Sequence, residues 1–310
     1  MTDRAGASQR AMESPDSLPA FVGGEACRSC HVAEFDRWRG SHHDLAMQAA
    51  DEASVLGDFD GAHYTHFGVT SSFFRRDGKF IARTDGPDGE IRDYEIAYVF
   101  GFDPLQQYLI EFPGGRLQAL SVCWDSRPEG EGGQRWFHLH PDAPIPHGDV
   151  LHWTGPNQNW NYMCADCHST NLQKNYLASE DRYDTRWEEI DVSCEACHGP
   201  GSAHLAWAND RAKSGADNGQ AAALGSVDDG LTVDLRNDGV WRFDGDSKIA
   251  RRTPEKGADA QIDTCGRCHS RRAVLHPEPV RGQSLLDTHR PALLDEPLYR
   301  ADGHILDEVY

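Results

Sequence analysis

Long apolar runs are absent from this chain. No stretch among its 310 residues approaches the ~20 apolar residues of a membrane-crossing helix, so it carries no such span and is expected to be soluble. An apolar secretory leader is missing too. The opening "MTDRAGASQRAMESPDSLPA" is rich in Ser, Asp and Pro, and residues 1–24 read as a flexible leader. Core-forming residues are scarce. Hydrophobic side chains make up 38% of the chain and the net charge is −20, which is lean for a conventional interior without being polar enough for disorder. Something other than side chains is therefore expected to fill the interior. Basic residues are outnumbered, 30 against 50 acidic ones, which argues against nucleic acid and anionic membranes as partners.

What is abundant is cysteine in one arrangement. Eight of the nine cysteines fall into Cys-x-x-Cys-His: "CRSCH" (27–31), "CADCH" (164–168), "CEACH" (194–198) and "CGRCH" (265–269). Tetrahedral zinc and a disulfide framework are the competing readings, but neither requires a histidine after all four pairs, and cysteines three apart bridge awkwardly. Cys-x-x-Cys-His reads as c-type haem attachment. On a short helical turn the two thiols, Cys27/Cys30, Cys164/Cys167, Cys194/Cys197 and Cys265/Cys268, each form a thioether to one vinyl group. The following imidazole then lies under the ring as proximal iron ligand, here His31, His168, His198 and His269. The expectation is four covalently attached haem c groups. Their apolar faces would fill the interior, so folding and haem loading should be linked and the apoprotein poorly folded. Haem attachment is normally completed outside the cytoplasm, so a periplasmic or otherwise extracytoplasmic location is expected although no signal peptide is visible. Arg267, Arg271 and Arg272 are candidates to pair with the propionates.

The chain divides by pattern. Residues 25–60 read as a helical segment around the first haem, with a break near Gly40 and with His42 and His43 on the helix beyond it; Met47, one turn from His43, reads as core packing. Residues 61–145 carry strand and hairpin signals, notably Asp77-Gly78, "TDGPDG" and "PGG", and predict a β-rich insert of about five strands between the first and second haems. Lone Cys123, in "ALSVCW", is expected as a buried strand cysteine. Residues 146–310 hold the second to fourth motifs, with a Gly/Ala/Asp-rich surface loop over about 209–260. The fold class expected is α+β: short helices and long loops around stacked haems, plus the β-rich insert.

Twelve histidines remain after the proximal four, enough for distal ligands. Bis-histidine ligation favours electron transfer over ligand binding. In "CHGPGSAH" the Gly-Pro-Gly turn carries His204 away from its own haem toward a neighbour. Cys-x-x-Cys-His-Gly-Pro-Gly-x-x-His (194–204) and Trp38-x-x-Ser41-x-His43-x-x-Ala46-Met47 resemble the multihaem cytochrome c family that includes the tetrahaem electron carriers of hydroxylamine oxidation. That resemblance implies that His43 and His204 are distal ligands to other haems. The blocks "FGVTSSFFRRDGKF", "PLQQYLIEFPGGRLQAL" and "NWNYMCADCHSTNL" resemble the N-terminal haem domain of long multihaem cytochromes with tetratricopeptide repeats, so further haem and repeat domains are expected beyond Tyr310. His152, just ahead of the second and third motifs, is the third distal candidate; the fourth lies among His138, His140, His276 and His289.

The leading expectation is an electron-transfer module with mostly bis-histidine haems and no acid/base residues, docking basic redox partner proteins by complementary charge. The alternative is a multihaem oxidoreductase acting on a small nitrogen or sulfur compound at one open-sided haem. No Cys-x-x-Cys-Lys, the variant found in related enzymes, occurs.

Overall fold

The computed structural model describes residues 19–214, 229–235, 240–243, 249–253, 260–276, 283–295 and 298–303. The Asp and Gly of "RRDGKF" adopt left-handed φ of 53° and 76°, which suits the twist of a two-residue hairpin and joins β3 (Val69–Arg76) to β4 (Lys79–Asp85) with Arg76 opposite Lys79. Similar tight reversals link β2 (Asp60–His66) to β3, and β6 (Leu105–Phe112) to β7 (Arg116–Ala119). With β1 (Met47–Ala49), β5 (Ile91–Phe100), β8 (Val122–Asp125) and β9 (Arg135–His138), they form a nine-stranded antiparallel sheet in the order β2-β3-β4-β5-β6-β8-β9, with β1 paired to β5 and β7 to β6. The predicted insert of about five strands is thus larger, and it begins earlier, at Met47.

The sheet curls until its end strands meet. The His138 backbone N–H donates to Tyr64 Oη at 3.1 Å, His66 Nε2 donates to the His140 carbonyl at 2.9 Å, and the His66 and His138 rings stack at 3.8 Å. Inside lies an aromatic core. Phe59, Phe73, Phe80, Tyr108 and Trp136 are almost fully buried, with Phe73 stacked on Trp136 at 3.6 Å. Cys123 is fully buried in β8.

A second cluster, Met47, Phe100, Leu109, Leu117, Ala119, Trp160 and Ala165, joins the sheet to the second motif. The edge strand β7 would leave backbone groups unpaired. Asn161 satisfies them: its Oδ1 accepts from Leu117 N at 2.7 Å and its Nδ2 donates to the Gly115 carbonyl at 3.1 Å.

The helices are short: α1 (Glu25–Arg28), α2 (Val32–Trp38), α3 (Trp160–Met163), α4 (Ala165–His168), α5 (Cys194–His198), α6 (Ser202–Lys213), α7 (Ala260–His269) and α8 (Leu285–Thr288). The chain is α+β. One local expectation is corrected. The helix before His43 stops at Trp38, Gly40 takes a φ of 76°, and only a 3₁₀ turn over Asp44–Ala46 follows, so His42 and His43 do not lie on a helix. Met47 leaves that turn at once for β1, where it pairs with Phe100 and is fully buried.

Candidate haem-binding site

Each Cys-x-x-Cys-His segment folds onto a short helix or helical turn, which sets the two thiols on one side and the imidazole one turn on. The four segments then meet in pairs. The Cys27 thiol hydrogen-bonds with Cys194, which raises Cys27 far above the ordinary thiol range and lowers Cys194 to about 7. Cys167 and Cys268 hydrogen-bond likewise, pulling Cys167 down and pushing Cys268 up. First and third motifs are therefore neighbours, as are second and fourth.

Two carboxylates hold the first pair together. Glu195, 2% exposed, accepts from Val22 N at 3.0 Å, Gly23 N at 2.8 Å and Gly201 N at 2.7 Å. Glu189 accepts from Gly24 N at 3.0 Å. Such charge-assisted bonds are the stronger kind. Gly24 allows the close approach, since a Cβ there would sit 2.6 Å from Ser193 Oγ. Trp38 Nε1 donates to the Val192 carbonyl at 3.0 Å, and Val192 N to the His43 carbonyl at 3.1 Å, which fixes the His43 turn against the same segment. Sequence reasoning missed Glu195, although an acidic residue between the cysteines, facing a Gly-Pro-Gly bend rich in free N–H groups, was the available signal.

Imidazoles from different motifs face each other. The ring centres of His31 and His204 are 6.0 Å apart, and those of His43 and His269 are 6.1 Å apart. Metal–imidazole bonds of about 2 Å on either side of one ion place the ring centres about 6 Å apart, so each pair suits a single iron. His204 Nδ1 donates to the Asp229 carbonyl at 2.8 Å and His168 Nδ1 to the Ala46 carbonyl at 2.8 Å, which leaves Nε2 of each ring available as a ligand. Burial lowers the pKa of His43 and of His198, favouring the neutral form that a metal ligand needs. Apolar side chains beside the motifs are exposed, Val32 at 54%, Tyr162 at 64% and Ile262 at 64%, and these suit contact with porphyrin faces. Among the described residues no group of three or more His, Cys, Asp or Glu gathers around one point.

His152, expected as the third distal ligand, lies in the β-region instead of beside the motif helices. It is 4% exposed within the β-region, Nδ1 lies 2.8 Å from Thr154 Oγ1, and Nε2 lies 3.1 Å from Asp85 Oδ2, so both ring nitrogens are engaged. His138 and His140 also belong to the β-region, and His276 is exposed. His289 is 3% exposed, hydrogen-bonds through Nδ1 to Thr288 Oγ1, and is held down to about 4 by burial. Arg272 is committed to Asp166 Oδ2 at 3.0 Å with its side chain 7% exposed, rather than left for a propionate.

The sequence matches the family model of cytochrome c554 and c-prime over residues 26–60 and 152–199, the two stretches that contain the first three motifs. The fold is similar to the crystal structure of the outer cell wall cytochrome OcwA, with a TM-score of 0.51 and 17% identity over 92% of this chain and 48% of that one. An undecahaem cytochrome from the S-layer of Carboxydothermus ferrireducens aligns with a TM-score of 0.36 and 19% identity, over 61% of this chain and 22% of that one. The chain thus spans about half the length of OcwA. No curated protein sequence matches it. The family model covers about a quarter of this chain, and both structural neighbours are multihaem cytochromes by their titles, so the chain is similar to multihaem cytochromes c. Among the described residues no helix is long and apolar enough to cross a membrane.

Proposed function

We propose that this chain is a tetrahaem electron-transfer module with mostly bis-histidine haems. The haems supply reversible one-electron chemistry at iron; the chain attaches, spaces and ligates them. Cys27 and Cys30, Cys164 and Cys167, Cys194 and Cys197, and Cys265 and Cys268 each anchor one haem, with His31, His168, His198 and His269 on the proximal sides. His204 serves the haem of the first motif and His43 that of the fourth. The observation that carries this reading is the pair of cross-motif imidazole spacings, 6.0 and 6.1 Å. The thiol contacts between first and third and between second and fourth motifs support two closely packed haem pairs, the condition for fast transfer. A net charge of −20, made more negative by propionates, favours basic redox partner proteins in an extracytoplasmic compartment.

Pyridine haemochrome quantitation with low-temperature electron paramagnetic resonance of the oxidised protein tests it. Four haems per chain are expected, with low-spin signals from the first and fourth. His204→Ala and His43→Ala should each convert one haem to high spin without changing haem content. A high-spin component in the unaltered protein that responds to nitrite or hydroxylamine would favour the oxidoreductase reading. Unchanged spectra in both variants would overturn the ligand assignment.

A further inference from the structure

The β-region holds a partly open cavity of about 210 Å³ at the seam where β2 meets β9, and none of its lining residues belongs to a haem motif. Its polar wall is built and buried. Ser71 Oγ lies 2.8 Å from Thr84 Oγ1, which donates to Asp85 Oδ1 at 3.2 Å, and Asp85 Oδ2 accepts from His152 Nε2 at 3.1 Å. The Thr154 backbone N–H donates to His152 Nδ1 at 3.3 Å, which orients the ring so that Nε2 faces Asp85. Against the cost of its burial, the Asp85 carboxylate is kept ionised by hydrogen bonding and charge from His152 and by Thr84, and it puts a negative group in the wall.

Opposite it, the remaining groups are equally defined. His140 N donates to His138 Nδ1 at 2.9 Å, leaving His138 with Nε2–H; His66 donates through Nε2 to the His140 carbonyl, leaving Nδ1 as an acceptor. Ser121, 3% exposed, has a side-chain oxygen with no hydrogen-bond partner. A buried orphan hydroxyl is costly unless something meets it. Around these lie the apolar Val69, Leu120 and Trp153.

These groups narrow the occupant. Anions are opposed by the Asp85 charge and by the acidity of the whole chain. A chelated metal ion is opposed by geometry, because the His66 and His138 rings lie parallel, 7° apart, and their in-plane nitrogens cannot converge on one ion. We infer that the cavity binds a small primary ammonium compound that also bears a hydrogen-bond acceptor. Its charged N–H donors meet Asp85, Ser121 Oγ and His66 Nδ1. Its acceptor meets His138 Nε2–H, and its short apolar body lies against Val69, Leu120 and Trp153.

Calorimetric titration of the haem-loaded protein with 2-aminoethanol, ethylene glycol and glycolate separates cation, neutral and anion of similar size. One saturable site for 2-aminoethanol is expected, with the glycol and glycolate weaker by about tenfold or more. Asp85→Asn should weaken 2-aminoethanol about tenfold or more. Ser121→Val, which breaks no existing hydrogen bond, should abolish binding while haem spectra and thermal midpoint hold. No saturable binding, equal binding of the glycol or glycolate, or undiminished binding to Ser121→Val would each overturn the inference.

Discussion

The β-region and the haem-motif segments of this molecule are stabilised by different means. The β-region holds its shape by side-chain packing: Phe59, Phe73, Phe80 and Tyr108 are at most 3% exposed, and its ladder runs without interruption from β2 to β9. The motif helices bury little. Neither α1 nor α6 buries a residue, and α7 buries only Arg267. The family match makes the same cut, covering residues 26–60 and 152–199 and leaving out most of the sheet between them. The difference teaches that one chain can combine a packed aromatic core with segments that bury few of their own side chains.

The comparison breaks most sharply when haem attachment is prevented. With the eight motif cysteines changed to serine, amides of the β-region should keep their hydrogen-exchange protection while those of α5, α6 and α7 lose theirs; uniform loss would show that the sheet depends on haem as well. Next in size is Phe73→Ala, which removes the ring stacked on Trp136 and should cost about 3–5 kcal/mol by denaturant titration. The haem spectra should persist until the β-region unfolds.

How much of this was legible in the sequence follows from the range of each interaction. The Cys-x-x-Cys-His motifs are local spacing patterns, so they could be read directly from the sequence. The Asp77-Gly78 turn was legible because a two-residue hairpin depends on those two φ values. The His43 segment misled because its apolar spacing suits a helix, whereas pairing of Met47 with Phe100, over fifty residues on, draws it into a strand. His152 stands close to the second motif in sequence, but Asp85, 67 positions earlier, claims its Nε2. Glu195 lay inside a motif and was passed over because its partners, Val22 and Gly23, are more than 170 residues away.

Glu195→Gln tests how far polar clamps substitute for a core in the motif region. The carboxylate accepts from three backbone N–H groups, whereas an amide offers one oxygen and turns an NH₂ toward donors. Haem-loaded protein should lose about 2–3 kcal/mol, read by denaturant titration at the haem absorbance. A loss no larger than that of an exposed Glu→Gln control would remove Glu195 from the account.

The smallest effect expected is acid sensitivity confined to the β-region. His138 is held down to about 4 in the folded protein by burial first, then by the nearby His66 and His140. In the unfolded chain it titrates near about 6.5, so between those values the unfolded state binds more protons. Its contribution is fully present above about pH 6.5 and is lost as pH falls toward about 4, below which the curve levels. Allowing for partial screening, the loss amounts to about 2 kcal/mol. His138→Asn keeps an acceptor for His140 N–H but cannot titrate, so its stability should stay flat across that window when followed by tryptophan fluorescence of the sheet. If the variant declined as steeply as the parent, the acid sensitivity would belong elsewhere, and the β-region would be the less titratable of the two parts.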